Sequence, residues 1–215
     1  SSETTKSAQD FSTLASHDDV TQEIEELINS VDETLNKRIA TKVDMDPLFM
    51  QSMADEMELL QAREAAGDHS PIEWEDEMPD GNSRSNTENT QWSLQDLDNL
   101  SADRLEWSFK QDDVVRITVT NSDQIMHPMQ HPIHMHGQKF IVASINGEPT
   151  KNRVFKDVVQ VPIGDTYELI VRMENPGTWL MHCHIPEHME SGMVGTITVG
   201  DTQVPEAESA TPQSQ

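Results

Sequence analysis

Seven of the nine histidines in this 215-residue chain fall in two clusters. The first runs His127-Pro-Met-Gln-His131-Pro-Ile-His134-Met-His136-Gly137, and the second runs His182-Cys183-His184-Ile-Pro-Glu-His188-Met-Glu-Ser-Gly-Met193. A lone histidine in a strand is usually an ordinary surface or core residue. Two His-x-His pairs with the chain's single cysteine and a spaced methionine instead make an inventory of metal ligands. Cys183, then His188 after four residues, then Met193 after four more, offer a thiolate, an imidazole and a thioether from one turn of chain. One further histidine completes a His2Cys set with an axial methionine. That set suits copper, because the thiolate is soft and a weak axial thioether tunes the potential, whereas zinc more often takes several cysteines.

Successive side chains of a strand point to opposite faces. If His182-Cys183-His184 is extended, Cys183 faces inward while His182 and His184 face outward. His134 and His136 likewise share a face, so four imidazoles can line one outer surface of a barrel.

The segments His-Pro-Ile-His-Met-His-Gly from His131 to Gly137 and His-Cys-His-Ile-x-x-His-x-x-x-Gly-Met from His182 to Met193 resemble the two C-terminal copper signatures of multicopper oxidases. The resemblance is best from about Trp92 to Val199 and looser over residues 1–90. It implies a C-terminal cupredoxin domain, a Greek-key β-sandwich or barrel. It implies that His131, Cys183 and His188 hold a type 1 copper with Met193 axial, that His134 holds a type 2 copper, and that His136, His182 and His184 hold a type 3 pair. His127 is a rival for His131, but its distance from His134-x-His136 departs from the signature.

The same resemblance implies one-electron oxidation of a reducing substrate, phenol-like or a metal ion, at type 1 copper. Cys183 then passes electrons through its backbone to His182 and His184, where oxygen is reduced to water. In the family, two more His-x-His pairs come from an N-terminal cupredoxin domain. This chain is expected to need such a partner, since His17 and His69 stand isolated. Met189 stands where many metal-oxidising bacterial members carry an acid, so no proton donor is assigned. A periplasmic or secreted location is also implied. The alternative is a stand-alone blue-copper electron carrier, which has no use for the outward imidazoles of His134, His136, His182 and His184.

Short β-prone runs separated by turns cover Gln91 to Val199 at sandwich-like spacing. Val115, Ile117 and Val119 alternate with Arg116 and Thr118, and Tyr167, Leu169, Val171 and Met173 alternate with Glu168, Ile170, Arg172 and Glu174. Each strand is therefore expected to bury one face. Asn146-Gly147 suits a tight hairpin. Upstream, Val20, Ile24, Leu27, Ile28 and Val31 recur at helical spacing, Lys37 to Val43 reads as a strand, and Asp46-Pro47 opens a helix reaching about Ala66. Met45, Met50, Met53 and Met57 there form either a packing face or a soft Cu(I)-binding segment, and packing is favoured. The expected organisation is 1–36 as a linker with a short helix and 37–90 as a candidate first strand, methionine-containing helix and acidic loop. The cupredoxin domain follows at 91–200, with 201–215 as a disordered tail.

Asp and Glu outnumber Lys and Arg by 39 to 14, giving a formal net charge of −25. This opposes docking on nucleic-acid phosphates or an anionic membrane, and favours cations as partners. No apolar run of about eighteen residues is present to span a bilayer, and Ser1 to Asp10 lacks the apolar core of a signal peptide.

Overall fold

The computed structural model describes residues 17–67, 86–125 and 128–200. His69, His127, most of the expected acidic loop and the 201–215 tail lie outside the described residues.

Among the described residues, eleven strands form two mixed sheets. In chain order they are β1 (Asn36–Met45), β2 (Thr90–Asp96), β3 (Leu105–Phe109), β4 (Val114–Thr120), β5 (His131–Met135), β6 (Phe140–Ile145), β7 (Glu148–Pro149), β8 (Val158–Val161), β9 (Thr166–Arg172), β10 (Gly177–Cys183) and β11 (Val194–Val199). One sheet has the order β2-β1-β4-β9-β6-β7 and the other β3-β11-β10-β5-β8. Together they make the all-β, cupredoxin-like sandwich expected. Alternation decides which side chains face the core: Val115, Ile117 and Val119 of β4, and Leu169 and Val171 of β9, are completely buried between the sheets. The Asn146-Gly147 hairpin joins β6 to β7, and both residues adopt the positive φ that such a turn requires.

The sandwich does not begin at residue 91. β1 pairs antiparallel with β2 and parallel with β4, and so is an interior strand of its sheet. Helix α2 (Pro47–Ala65) leaves from the end of the β1–β2 pair, where Met45 lies opposite Thr90 and the Asp46 N–H donates to the Asn89 carbonyl at 2.8 Å. Asp46 caps α2 as the sequence predicts, accepting from the N–H groups of Leu48 (2.9 Å) and Phe49 (3.1 Å). Met45 packs against the sandwich core, whereas the side chains of Met53 and Met57 lie outside what the structure describes.

Helix α1 (His17–Asn29) lays Ile24 and Leu27 on the outer face of the first sheet, against Val114, Ile141 and Ile170. The one-face expectation for β9 is therefore corrected. Ile170 points away from the core, yet it is buried because α1 covers it. Full burial of an aliphatic side chain contributes about 2 kcal/mol, so Ile24 and Leu27 are the main anchors of this layer, with the partly buried Val20, Ile28 and Val31 packed beside them.

Candidate metal centres

Strands β5 and β10 lie side by side, with Met181 opposite Met135, His182 opposite His134 and Cys183 opposite Ile133. That register brings both histidine clusters to one end of the second sheet. Parity then sorts them by face. His131, Ile133 and Met135 of β5 are buried, and Cys183 joins the hydrophobic core. His134, His136, His182 and His184 gather on the other side, with ring centroids 4.8 Å apart for His134 and His136 and 5.0 Å for His136 and His182. His184 is exposed at the end of this row, 5.6 Å from His134 and 5.8 Å from His182 by ring centroid.

On the inner side, Cys183 Sγ lies 3.7 Å from His131 Nδ1 and 3.6 Å from His188 Nδ1, and the two nitrogens are 3.2 Å apart. A triangle with these edges has its centre about 2.0 Å from every corner, the length of a bond from a transition metal to imidazole and slightly short of one to thiolate. The donor set therefore fits a trigonally bound copper. All three residues are buried. Burial, followed by the neighbouring His188, lowers the His131 pKa from 6.5 to about 4. Burial raises the Cys183 thiol from 9.0 to about 11, against the opposing pull of the Ile185 N–H. The metal-free pocket thus holds His131 neutral and Cys183 as a thiol at neutral pH.

The loop from Cys183 to Met193 is stapled by its own backbone. The Cys183 N–H donates to the Met193 carbonyl at 3.0 Å, and the Met193 N–H donates to the His188 carbonyl at 2.9 Å. Between them, the short helix α3 (Pro186–Glu190) turns the buried His188 back toward Cys183. Met193 is completely buried in the same core as Cys183. The His184 N–H donates to the Pro132 carbonyl at 2.7 Å, fastening the start of this loop to β5.

On the outer side, hydrogen bonds settle the tautomers. His134 Nδ1–H donates to the Asp157 carbonyl and His182 Nδ1–H to the Cys183 carbonyl, each at 2.8 Å, so in the neutral ring of each Nε2 is the acceptor. His136 Nε2 is 2.9 Å from His182 Nε2, so in the metal-free chain His136 supplies the proton between them. Burial, with the charges of His134, His182 and His184 added, depresses the His136 pKa. Nitrogens of His134, His136 and His182 all lie within 4.8 Å of one another, and His184 is outside that group of three.

Three supporting residues escaped the sequence reading. Asn121 is completely buried. Its side-chain amide donates to the carbonyls of Met129 (2.7 Å), Val161 (3.1 Å) and Pro162 (3.1 Å), and its oxygen accepts from Thr41 Oγ1 (2.8 Å). It thereby ties β1 and the end of β8 to the segment leading into His131. Trp179 packs on Gly137, and Trp92 packs on His188. Each is an aromatic residue at an alternating position, a pattern shared by any core residue.

The pattern that defines the multicopper oxidase family matches residues 73–203, more than half of the chain. The chain belongs to that family. It is 42% identical over 83 residues to a multicopper oxidase (mco) of Staphylococcus epidermidis, a match covering 38% of this chain and 19% of that protein. It is also 36% identical over 91 residues to a laccase of Trametes hirsuta, covering 40% and 17%. The matched stretch thus spans less than a fifth of either relative. The solved multicopper oxidase mgLAC shares the fold, with a TM-score of 0.52 at 18% identity over 86% of this chain and 49% of that one.

Proposed function

We propose that this chain supplies the type 1 copper site and half of the oxygen-reducing copper cluster of a multicopper oxidase. His131, Cys183 and His188 would hold type 1 copper, with Met193 supplying a further thioether ligand. His134 would serve a type 2 copper, and His136, His182 and His184 a type 3 pair. When bound, copper supplies one-electron redox chemistry and the four-electron reduction of oxygen to water. The observation that carries this reading is the opposite facing of the Cys183 triangle and the four-imidazole row, joined by the single tripeptide His182-Cys183-His184.

The residues divide the work. The buried pocket of His131, Cys183 and His188 excludes water and must release the Cys183 proton to present a thiolate. Asp157 and the Cys183 carbonyl hold His134 and His182 with Nε2 outward. His136 has to give up the Nε2 proton that it shares with His182 before both can serve as ligands. Because the row offers only four imidazoles, the remaining ligands would come from a second cupredoxin domain carrying two His-x-His pairs.

Copper reconstitution followed by optical and paramagnetic spectra tests the reading. The expected result is one blue copper per chain, lost in Cys183→Ser, with oxygen uptake only when the complementary domain is present. Oxygen reduction by this chain alone would refute the shared cluster, and a chain that forms no blue copper would refute the type 1 assignment.

A further inference from the structure

Trp92 belongs to β2, in the sheet opposite the one that bears the cysteine, yet its indole lies on the ligand pocket. It stacks on His188 with ring centroids 4.0 Å apart and planes 20° from parallel, and meets His131 edge-on at 5.2 Å and 67°. One aromatic plane thus touches both imidazoles of the triangle. The backbones are equally close. Gly192 has a φ of +120°, and a Cβ placed there would stand 2.9 Å from the Trp92 carbonyl oxygen, so the loop rests directly on β2 at this residue. Trp92 is itself fixed, paired across the strands with Val43 and only 5% exposed.

Imidazole ligands are usually oriented by a hydrogen bond from the ring nitrogen that does not bind metal. Among the described residues, His131 Nε2 is buried with no hydrogen-bond partner. Packing must orient that ring instead, and the Trp92 edge lies against it. We propose that Trp92 is a positioning residue for the type 1 site: it holds the rings of His188 and His131 and sets the potential and the electron-exchange rate of the copper they bind. This rests on the type 1 assignment above.

The direction of the effect follows from charge. A copper bound to one thiolate and two neutral imidazoles carries net charge +1 when oxidised and zero when reduced. An apolar lid penalises the charged form and so favours the reduced one. Rigid rings also limit how far the ligands must move between the two states. Leucine or methionine cannot lie flat over both rings, so replacing the indole with either lets water reach the site, which lowers the potential, and frees the rings, which slows exchange.

The test compares the copper-loaded full chain with W92F, which keeps a flat ring, and with W92L and W92M, which keep apolar bulk without one. Midpoint potential, the visible and paramagnetic spectra of the oxidised site and the electron self-exchange rate are measured, with circular dichroism to identify folded variants. The expected result is a blue site in every folded variant, with W92F close to the parent. W92L or W92M, whichever folds, should show a lower potential and slower exchange. A leucine or methionine variant matching the parent overturns the proposal, as does a W92F variant as perturbed as either. Failure of the unsubstituted chain to form blue copper is a different result, and removes the type 1 assignment together with this inference.

Discussion

Gly137 lies under the indole of Trp179. A Cβ at position 137 would stand 2.2 Å from the Trp179 ring, and the residue has a φ of +68°. The turn after His136 thus depends on glycine twice, for space and for backbone conformation. Gly137→Ala is expected to lower unfolding stability by about 3 kcal/mol, combining overpacking with strain. It should also disturb His136 first, because Trp179 cannot retreat while its Nε1–H donates to the Asn175 carbonyl at 2.9 Å. Denaturant unfolding gives the first quantity and the His136 ring signals give the second. A variant as stable as the parent would show that the turn relaxes freely.

Asn121 is the corresponding support for the inner pocket. Asn121→Leu strips hydrogen bonds from Thr41 and from three buried or half-buried carbonyls, and leaving such groups unsatisfied costs about 3 kcal/mol. Since Met129 is two residues from His131, the variant is also expected to give a broadened optical spectrum once the proposed copper site is loaded. A spectrum identical to the parent's would confine Asn121 to a purely structural role.

Acid should weaken the metal-free fold through His131. The unfolded chain takes up the proton near pH 6.5, whereas the folded chain resists until about pH 4 because the ring is buried. Between those values the unfolded state binds more protons, so stability declines as pH falls, by about 3 kcal/mol across the window. The same titration of His131→Gln should lack this component, and equal slopes for the two proteins would contradict the assignment.

Cys183 should be nearly inert without metal. With its pKa raised to about 11, roughly one thiol in a thousand is ionised at pH 8, against roughly one in ten for an ordinary thiol. Complete burial slows reagents further. Iodoacetamide labelling followed by mass spectrometry is expected to proceed only on unfolding, and copper loading at pH 8 should release one proton per blue site. Labelling of the native metal-free chain as fast as of the denatured chain would contradict both the burial and the raised pKa.

The faces of the candidate ligands were legible in the sequence because strand parity is a strict period of two. Cys183 inward and His134, His136, His182 and His184 together on the opposite side follow from it without knowledge of the fold. The alternating strands β4 and β9 were equally plain. The cover over Ile170 was not, since it depends on α1 docking on a sheet face, a tertiary event that alternation within one strand does not encode. Nor was the place of β1 between β2 and β4, because its β4 partners lie 80 residues away, as Ile39 and Val119 do (119 − 39 = 80), and leave no local trace. Asn121 and Trp92 were hidden for a related reason. An asparagine at a strand end and a tryptophan in an alternating run are common, and only the packed sandwich sets them beside His131 and His188.

The opposed faces of His182-Cys183-His184 restrict how such a gene can vary. Inserting one codon between Met181 and His182 would rotate His182-Cys183-His184 half a step, turning the thiol out among the imidazoles and a histidine into the core. Such a shift would cost both centres together. Descendants of this chain can exchange residues along this stretch, but a change of its length by one ends both chemistries at once.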